Sequence, residues 1–81
     1  DPQSGPALQL YTREVAEALN DSISELPLKQ RRAFVLHHLH GMALNEVADV
    51  MQCRVGTVKS HVFRATTALK SRMQPWLQEV V

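Results

Sequence analysis

Apolar residues in this chain recur every three or four positions, and prolines and glycines cut that rhythm into short segments. Such spacing builds amphipathic helices and cannot build a half-buried strand, which needs strict alternation. Leu8, Tyr11, Val15, Leu19, Ile23 and Leu26 form the first stripe, predicting a helix that ends near Ser24. Pro27 cannot continue that helix but suits the first turn of the next. A second helix is predicted over residues 28–40, with Leu28, Val35, Leu36 and Leu39 inward and Lys29, Arg31 and Arg32 outward. Gly41 stops it, because the left-handed backbone that closes a helix favours glycine.

Leu44, Val47, Ala48 and Met51 fall at i, i+3, i+4 and i+7, predicting a short third helix over residues 44–51. Gln52, Cys53 and Arg54 make a tight connection. A fourth helix, over residues 55–73, carries Val55, Val58, Val62, Ala65 and Leu69 on one stripe, which Met73 and Trp76 extend to cover the core edge. Pro75 should kink or end it. Residues 1–6 hold two prolines, a glycine and a serine and read as a flexible leader or linker end. What remains, residues 7–81, is one all-α domain of four helices.

A chain of 81 residues buries only about 60% of the surface its unfolded form exposes. Its core must be compact and its connections short. The longest apolar run, from Ala33 to Leu36, is far below the roughly 20 residues of a membrane span. No signal-peptide pattern opens the chain, so nothing marks it for export. Cys53 is the single cysteine, so it makes neither an internal disulfide nor a zinc cluster. Both features agree with a reducing, cytoplasmic setting.

Charge is polarised along the sequence. Residues 1–27 carry Arg13 against Asp1, Glu14, Glu17, Asp21 and Glu25, a net of −4. Residues 28–72 carry Lys29, Arg31, Arg32, Arg54, Lys59, Arg64, Lys70 and Arg72 against Glu46 and Asp49, a net of +6. A basic stretch of this kind suits a polyanion, although a solvated charged face without a partner has the same composition.

A short helix, a tight turn and a longer helix have helix-turn-helix spacing. The major groove of DNA admits one helix whose side chains reach base edges, while the preceding helix braces it across the backbone. With the valine stripe inward, the fourth helix presents Gly56, Ser60, Phe63, Arg64 and Thr67, flanked by Thr57, Lys59 and His61. Small residues at its start allow close approach. Lys59 and Arg64 can neutralise phosphates or reach guanine acceptors, and Ser60 and His61 can hydrogen-bond bases or phosphates. A plain helical hairpin with a polar outer face has the same spacing.

Leu26-Pro27, Arg31-Arg32-Ala33-Phe34, Gly41, Glu46-Val47-Ala48, Gly56-Thr57-Val58-Lys59-Ser60 and Arg64-Ala65 together resemble region 4 of bacterial sigma factors. They are most similar to the extracytoplasmic-function (ECF) group. The stretch from Met51 to Ala65 and the later Gln74-Pro75 look closest to its sigma-E/AlgU branch. The resemblance covers about residues 26–70. It implies an alternative sigma factor that directs RNA polymerase to a promoter, with the fourth helix recognising the −35 element. It also implies a backbone contact at the start of the third helix, on Leu44 and Asn45. Docking on the flap of the polymerase β subunit and capture by an anti-sigma factor are implied too, both on the first two helices. By this reading Asn45, Arg54, Gly56, Thr57, Lys59, Ser60, His61, Phe63 and Arg64 form the DNA interface, and the chain is the C-terminal piece of a longer protein.

The chain departs from the family pattern at four places. His61 replaces an arginine, Leu44 a tyrosine, and Thr66-Thr67 stand where the family is often basic. Gln52 stands where many such turns have glycine. Fewer fixed charges predict weaker DNA binding by the isolated domain. Two other readings share these residues. The DNA-binding domain of LuxR-type response regulators has a TVKxH helix like Thr57 to His61, and a region 4 relative could serve mainly as a protein-interaction module.

Nothing in the sequence points to a metal or other cofactor, or to catalysis. His37 and His40 share a helical face without a third ligand, with His38 turned elsewhere, whereas even catalytic zinc takes three protein ligands. Ser60 and His61 are neighbours in sequence and so lie 100° apart on a helix. Cys53 reads as a small buried hydrophobe. Phe63 lies off the core stripe and either packs on a neighbouring helix or meets a thymine methyl or sugar edge.

Overall fold

A computed structural model describes the backbone of residues 6–76 and the side chains of residues 13–76. Four α-helices follow one another: α1 (Pro6–Ser24), α2 (Leu28–Phe34), α3 (Leu44–Met51) and α4 (Val55–Arg72), with a π-helical turn (Val35–Leu39) between α2 and α3. Among the described residues there is no strand, and no helix is long and apolar enough to cross a membrane. Pro6 lies within α1 rather than in the leader, a position where its missing N–H is no loss. Residues 1–5 of the expected leader, and the Leu8 and Tyr11 side chains of the first stripe, lie outside the description.

α4 is the hub, packing against α1, α2 and α3. Its apolar stripe serves two clusters. Val58, with Val55 and Val62 beside it, closes on Ala33, Val47 and Ala48 and locks α3 at a fixed angle to α4. Two turns beyond Val58, Ala65 and Leu69 pack on Ile23 and Leu26 and hold the end of α1. Ala33 and Ala65 are completely buried, so neither site has room for a longer side chain. Met73 is buried beyond the last turn of α4. The helix closes there, two residues before Pro75, with the Met73 amide donating to Leu69 O at 2.9 Å.

The second helix does not stay α-helical to His40. From Val35 the turn widens: the His40 amide donates to Val35 O at 3.0 Å, and the Met42 amide reaches back to Leu36 O at 3.1 Å. Gly41 closes the turn at φ +71°. His37 Nδ1 lies 2.7 Å from Met42 O; a carbonyl only accepts, so the ring donates and pins the chain reversal. Adding a residue to a turn rotates everything after it. Leu39, expected inward, is therefore 58% exposed. Leu28 is 49% exposed as well, because it occupies the first turn, ahead of the core contacts. The histidine pairing changes too: the His38 ring touches Phe34 and His37, with centroids 4.9 Å and 4.7 Å apart.

Between α3 and α4 the chain turns in three residues. The Cys53 amide donates to Ala48 O at 3.0 Å and the Gln52 amide to Asp49 O at 3.3 Å, the paired bonds of a Schellman closure. That closure needs one left-handed residue, and Gln52 supplies it at φ 55°. A non-glycine residue there carries a steric cost of about 1–2 kcal/mol. Gln52→Gly is expected to raise unfolding stability by about 0.5–1 kcal/mol, the relief being partly offset by glycine's larger unfolded-state entropy. Urea denaturation at constant m-value checks this; a loss of stability would contradict it.

Polar contacts orient the remaining joints. Glu46 accepts from the Ala43 amide at 2.9 Å, the half of a capping box that an alanine cap permits. Arg31 donates to Ser24 O at 3.0 Å and so caps the end of α1. Arg72 at the end of α4 pairs with Glu25, the residue that follows α1, an exposed pair worth at most about 1 kcal/mol. Buried Ser22 returns its hydroxyl to Ala18 O at 2.8 Å.

Candidate nucleic-acid interface

α3, the left-handed turn and α4 form a braced pair whose polar face is the outer side of α4. Because Val58, Ala65 and Leu69 are anchored inward, the residues about half a turn away must face out. Gly56, Thr57, Lys59, Ser60, Phe63 and Arg64 are all exposed, as are Asn45 on α3 and Arg54 before α4. Phe63 is 72% exposed, so it does not pack on a neighbouring helix. An aromatic ring left this open between Ser60 and Arg64 is an apolar contact point within a charged surface.

The start of α4 is built for close approach. Arg54 occupies the cap position with φ −80° and ψ 152°, and no side chain caps the first turn. The Thr57 and Val58 amides both donate to Arg54 O, at 3.0 and 3.1 Å. A helix start without a side-chain cap attracts anions. At Gly56 an added Cβ would meet nothing within 4 Å. The fold therefore does not require glycine there. Gly56→Ala is expected to stabilise the domain by about 0.5 kcal/mol through helix propensity, while weakening any ligand that approaches the backbone at that point. Paired melting and binding measurements separate the two effects.

His61 departs from the expected outward face. It is half-buried, with Nδ1 buried and without a hydrogen-bond partner among the described residues. It lines an open groove between α2 and the start of α4. The 100° step between neighbouring helical residues separates it from Ser60. Thr57 shares the groove rim. Cys53, expected to be buried, is only partly so and also lines this groove. Thr67 turns its hydroxyl back to Phe63 O at 2.9 Å.

Sequence reasoning did not place Lys29, Arg31 and Arg32 at any site, yet all three line the groove opposite Thr57 and His61. The signal was present as three cations within four positions of α2. What was missing was the crossing of α2 over α4.

The family model for sigma-70, region 4, matches residues 16–69, which take in α3, the turn and α4 up to Leu69. The chain belongs to the sigma-70 region 4 family. The RNA polymerase sigma-H factor of Pseudomonas aeruginosa is 36% identical over 74 residues, which cover 91% of this chain and 38% of that protein. The ECF RNA polymerase sigma-E factors of Salmonella typhimurium and Escherichia coli are 35% identical over 75 residues, covering 93% of this chain and 39% of theirs. The chain thus spans about two fifths of the length of these curated relatives. As a region 4 domain it is assigned to the sigma factors rather than to the LuxR-type regulators with a similar recognition helix.

Proposed function

We propose that this region 4 domain recognises the −35 element of promoters as the C-terminal part of an alternative sigma factor of the ECF group. The observation that carries this reading is the outer face of α4, where Lys59, Ser60, Phe63 and Arg64 are exposed together beside an uncapped helix start. α4 lies in the major groove. Lys59 and Arg64 hold phosphates or guanine acceptors, and Ser60 and Phe63 contribute to base choice. Arg54 steers the helix start, and Asn45 on α3 contacts the backbone. His61 meets DNA only at the edge of the face, because its ring is partly withdrawn.

The full-length protein then works with RNA polymerase core in the bacterial cytoplasm, docking region 4 on the β flap, and an anti-sigma factor holds it in check. The relatives named as ECF RNA polymerase sigma factors support this assignment. Enrichment of the domain's ligands from a pool of random duplexes tests the DNA-reading step. A short consensus bound far above random duplex is the expected outcome. Enrichment of no sequence at low salt would instead favour a region 4 relative that acts through proteins alone.

A further inference from the structure

α4 runs for 18 residues without an aspartate or a glutamate. Exposed helices gain stability from acids and cations three or four positions apart. At those spacings Lys70 finds only Thr66, Thr67, Met73 and Gln74. It is exposed and makes no hydrogen bond or ion pair with the other described residues, whereas Arg72 close by is paired with Glu25. The outer face stays uncovered as far as this lysine, since Phe63, Arg64, Thr67 and Ser71 are exposed as well.

Helical geometry ties Lys70 to the DNA face. It follows Lys59 by eleven residues, which is three full turns and about 20°, so the two stand on one flank of α4 about 16 Å apart. Arg64 is turned about 140° away from that flank. Thr67 bends its hydroxyl back to Phe63 O at 2.9 Å, and the outer surface between Phe63 and Lys70 carries no long side chain. Two unpaired cations in line suit a row of negative charges, and a DNA strand is such a row, with a phosphate every 3.4 Å or so of duplex axis.

We infer that Lys70 is a further phosphate contact of this domain, on the same DNA strand as Lys59, so that α4 lies lengthwise in the major groove instead of entering by its first turns alone. Arg64 serves the opposite strand. The contact is made by the Lys70 ammonium, at the end of its side chain, and leaves the backbone around buried Leu69 undisturbed. The inference rests on the promoter reading and adds to it the lie of the helix and the strand each cation takes. A cation in the last turn also faces the free carbonyls of its own helix, and that purely structural role predicts a different result.

Lys70→Gln and Lys70→Arg in the 81-residue chain are compared by fluorescence anisotropy over a salt series, on the enriched and on random duplexes. Lys70→Gln is expected to weaken both about tenfold and to flatten the slope of log affinity against log salt by about 0.9. The ratio between the two duplexes should not change, and Lys70→Arg should restore the slope. Replacing single phosphates by neutral methylphosphonates assigns the strand. Lys70→Gln should be indifferent to one replacement that weakens the unsubstituted chain, and Lys59→Gln to another on the same strand. A lower melting temperature with an unchanged salt slope overturns the inference in favour of the last-turn role, and so does a loss confined to the enriched duplex. Insensitive phosphates on opposite strands overturn the lengthwise placement. In each of these cases the enriched duplex is still bound and the promoter reading stands; a chain that enriches no duplex takes both down.

Discussion

Replacing both Lys59 and Arg64 with alanine is expected to cut affinity for a −35 duplex by more than about a hundredfold while leaving the fold intact. Both side chains are exposed and make no hydrogen bond or ion pair with the other described residues, so removing them costs little stability. Against DNA each supplies a charge-assisted contact worth about 1.5–3 kcal/mol, and two such contacts exceed the roughly 2.8 kcal/mol of a hundredfold change. The salt dependence carries the sharper prediction. Each lost phosphate contact flattens the slope of log affinity against log salt by about 0.9. The double variant should lose about 1.8, and Arg64→Ala alone about half of that, on specific and random duplexes alike. Fluorescence anisotropy over a salt series measures this. An unchanged slope would mean that these cations touch no phosphate.

Val47→Asp is expected to unfold the domain outright. Val47 has no exposed surface and sits where α3 meets Ala33 and Val58. A carboxylate there loses its water without gaining a partner, since the described residues of that cluster are apolar. Removing the valine alone costs about 1.5–3 kcal/mol, and burying an unpaired polar group adds several more. A domain of this size has only about 3–5 kcal/mol of stability to lose. Far-UV circular dichroism should show loss of helicity at every temperature. A folded Val47→Asp domain would mean that α3 is not held by the valine cluster, and the fixed angle between α3 and α4 would lose its basis.

The four α-helices were legible in the sequence because each carries its own stripe and its own stop. Pro27, Gly41 and the residues 52–54 punctuate a 3.6-residue period that needs no tertiary information. The exposed face of Gly56, Lys59, Ser60, Phe63 and Arg64 followed from the same geometry: fixing Val58, Ala65 and Leu69 inward leaves no other place for it. The π-helical turn was not legible. A helical wheel assumes 100° per residue throughout, and the widening at Val35 depends on a closure through Gly41 and on a hydrogen bond from His37 to the Met42 carbonyl. That missed turn explains why Leu39 faces solvent and why His38 meets His37.

The groove beside His61 was not legible for a different reason. A wheel gives the direction of that residue, between the inward stripe and the outer face, but not what stands opposite. Only the crossing of α2 decides that the opposing wall is Lys29, Arg31 and Arg32, and that the space between them is a groove. Gln52 lies between the two cases. The sequence shows a residue that is costly in a left-handed turn, and the structure shows the turn formed regardless, held by the amides of Gln52 and Cys53.

The claim that the outer face of α4 reads promoter DNA is tested most directly by following backbone amide signals on titration with two duplexes of equal length, one carrying the enriched site and one scrambled. The account predicts that the specific duplex shifts Asn45 and residues 54–64 in particular, leaves Ile23 and Leu69 near their free positions, and that the scrambled duplex shifts the same region far less at the same salt. Shifts centred on α1, or identical shifts with both duplexes, would contradict it.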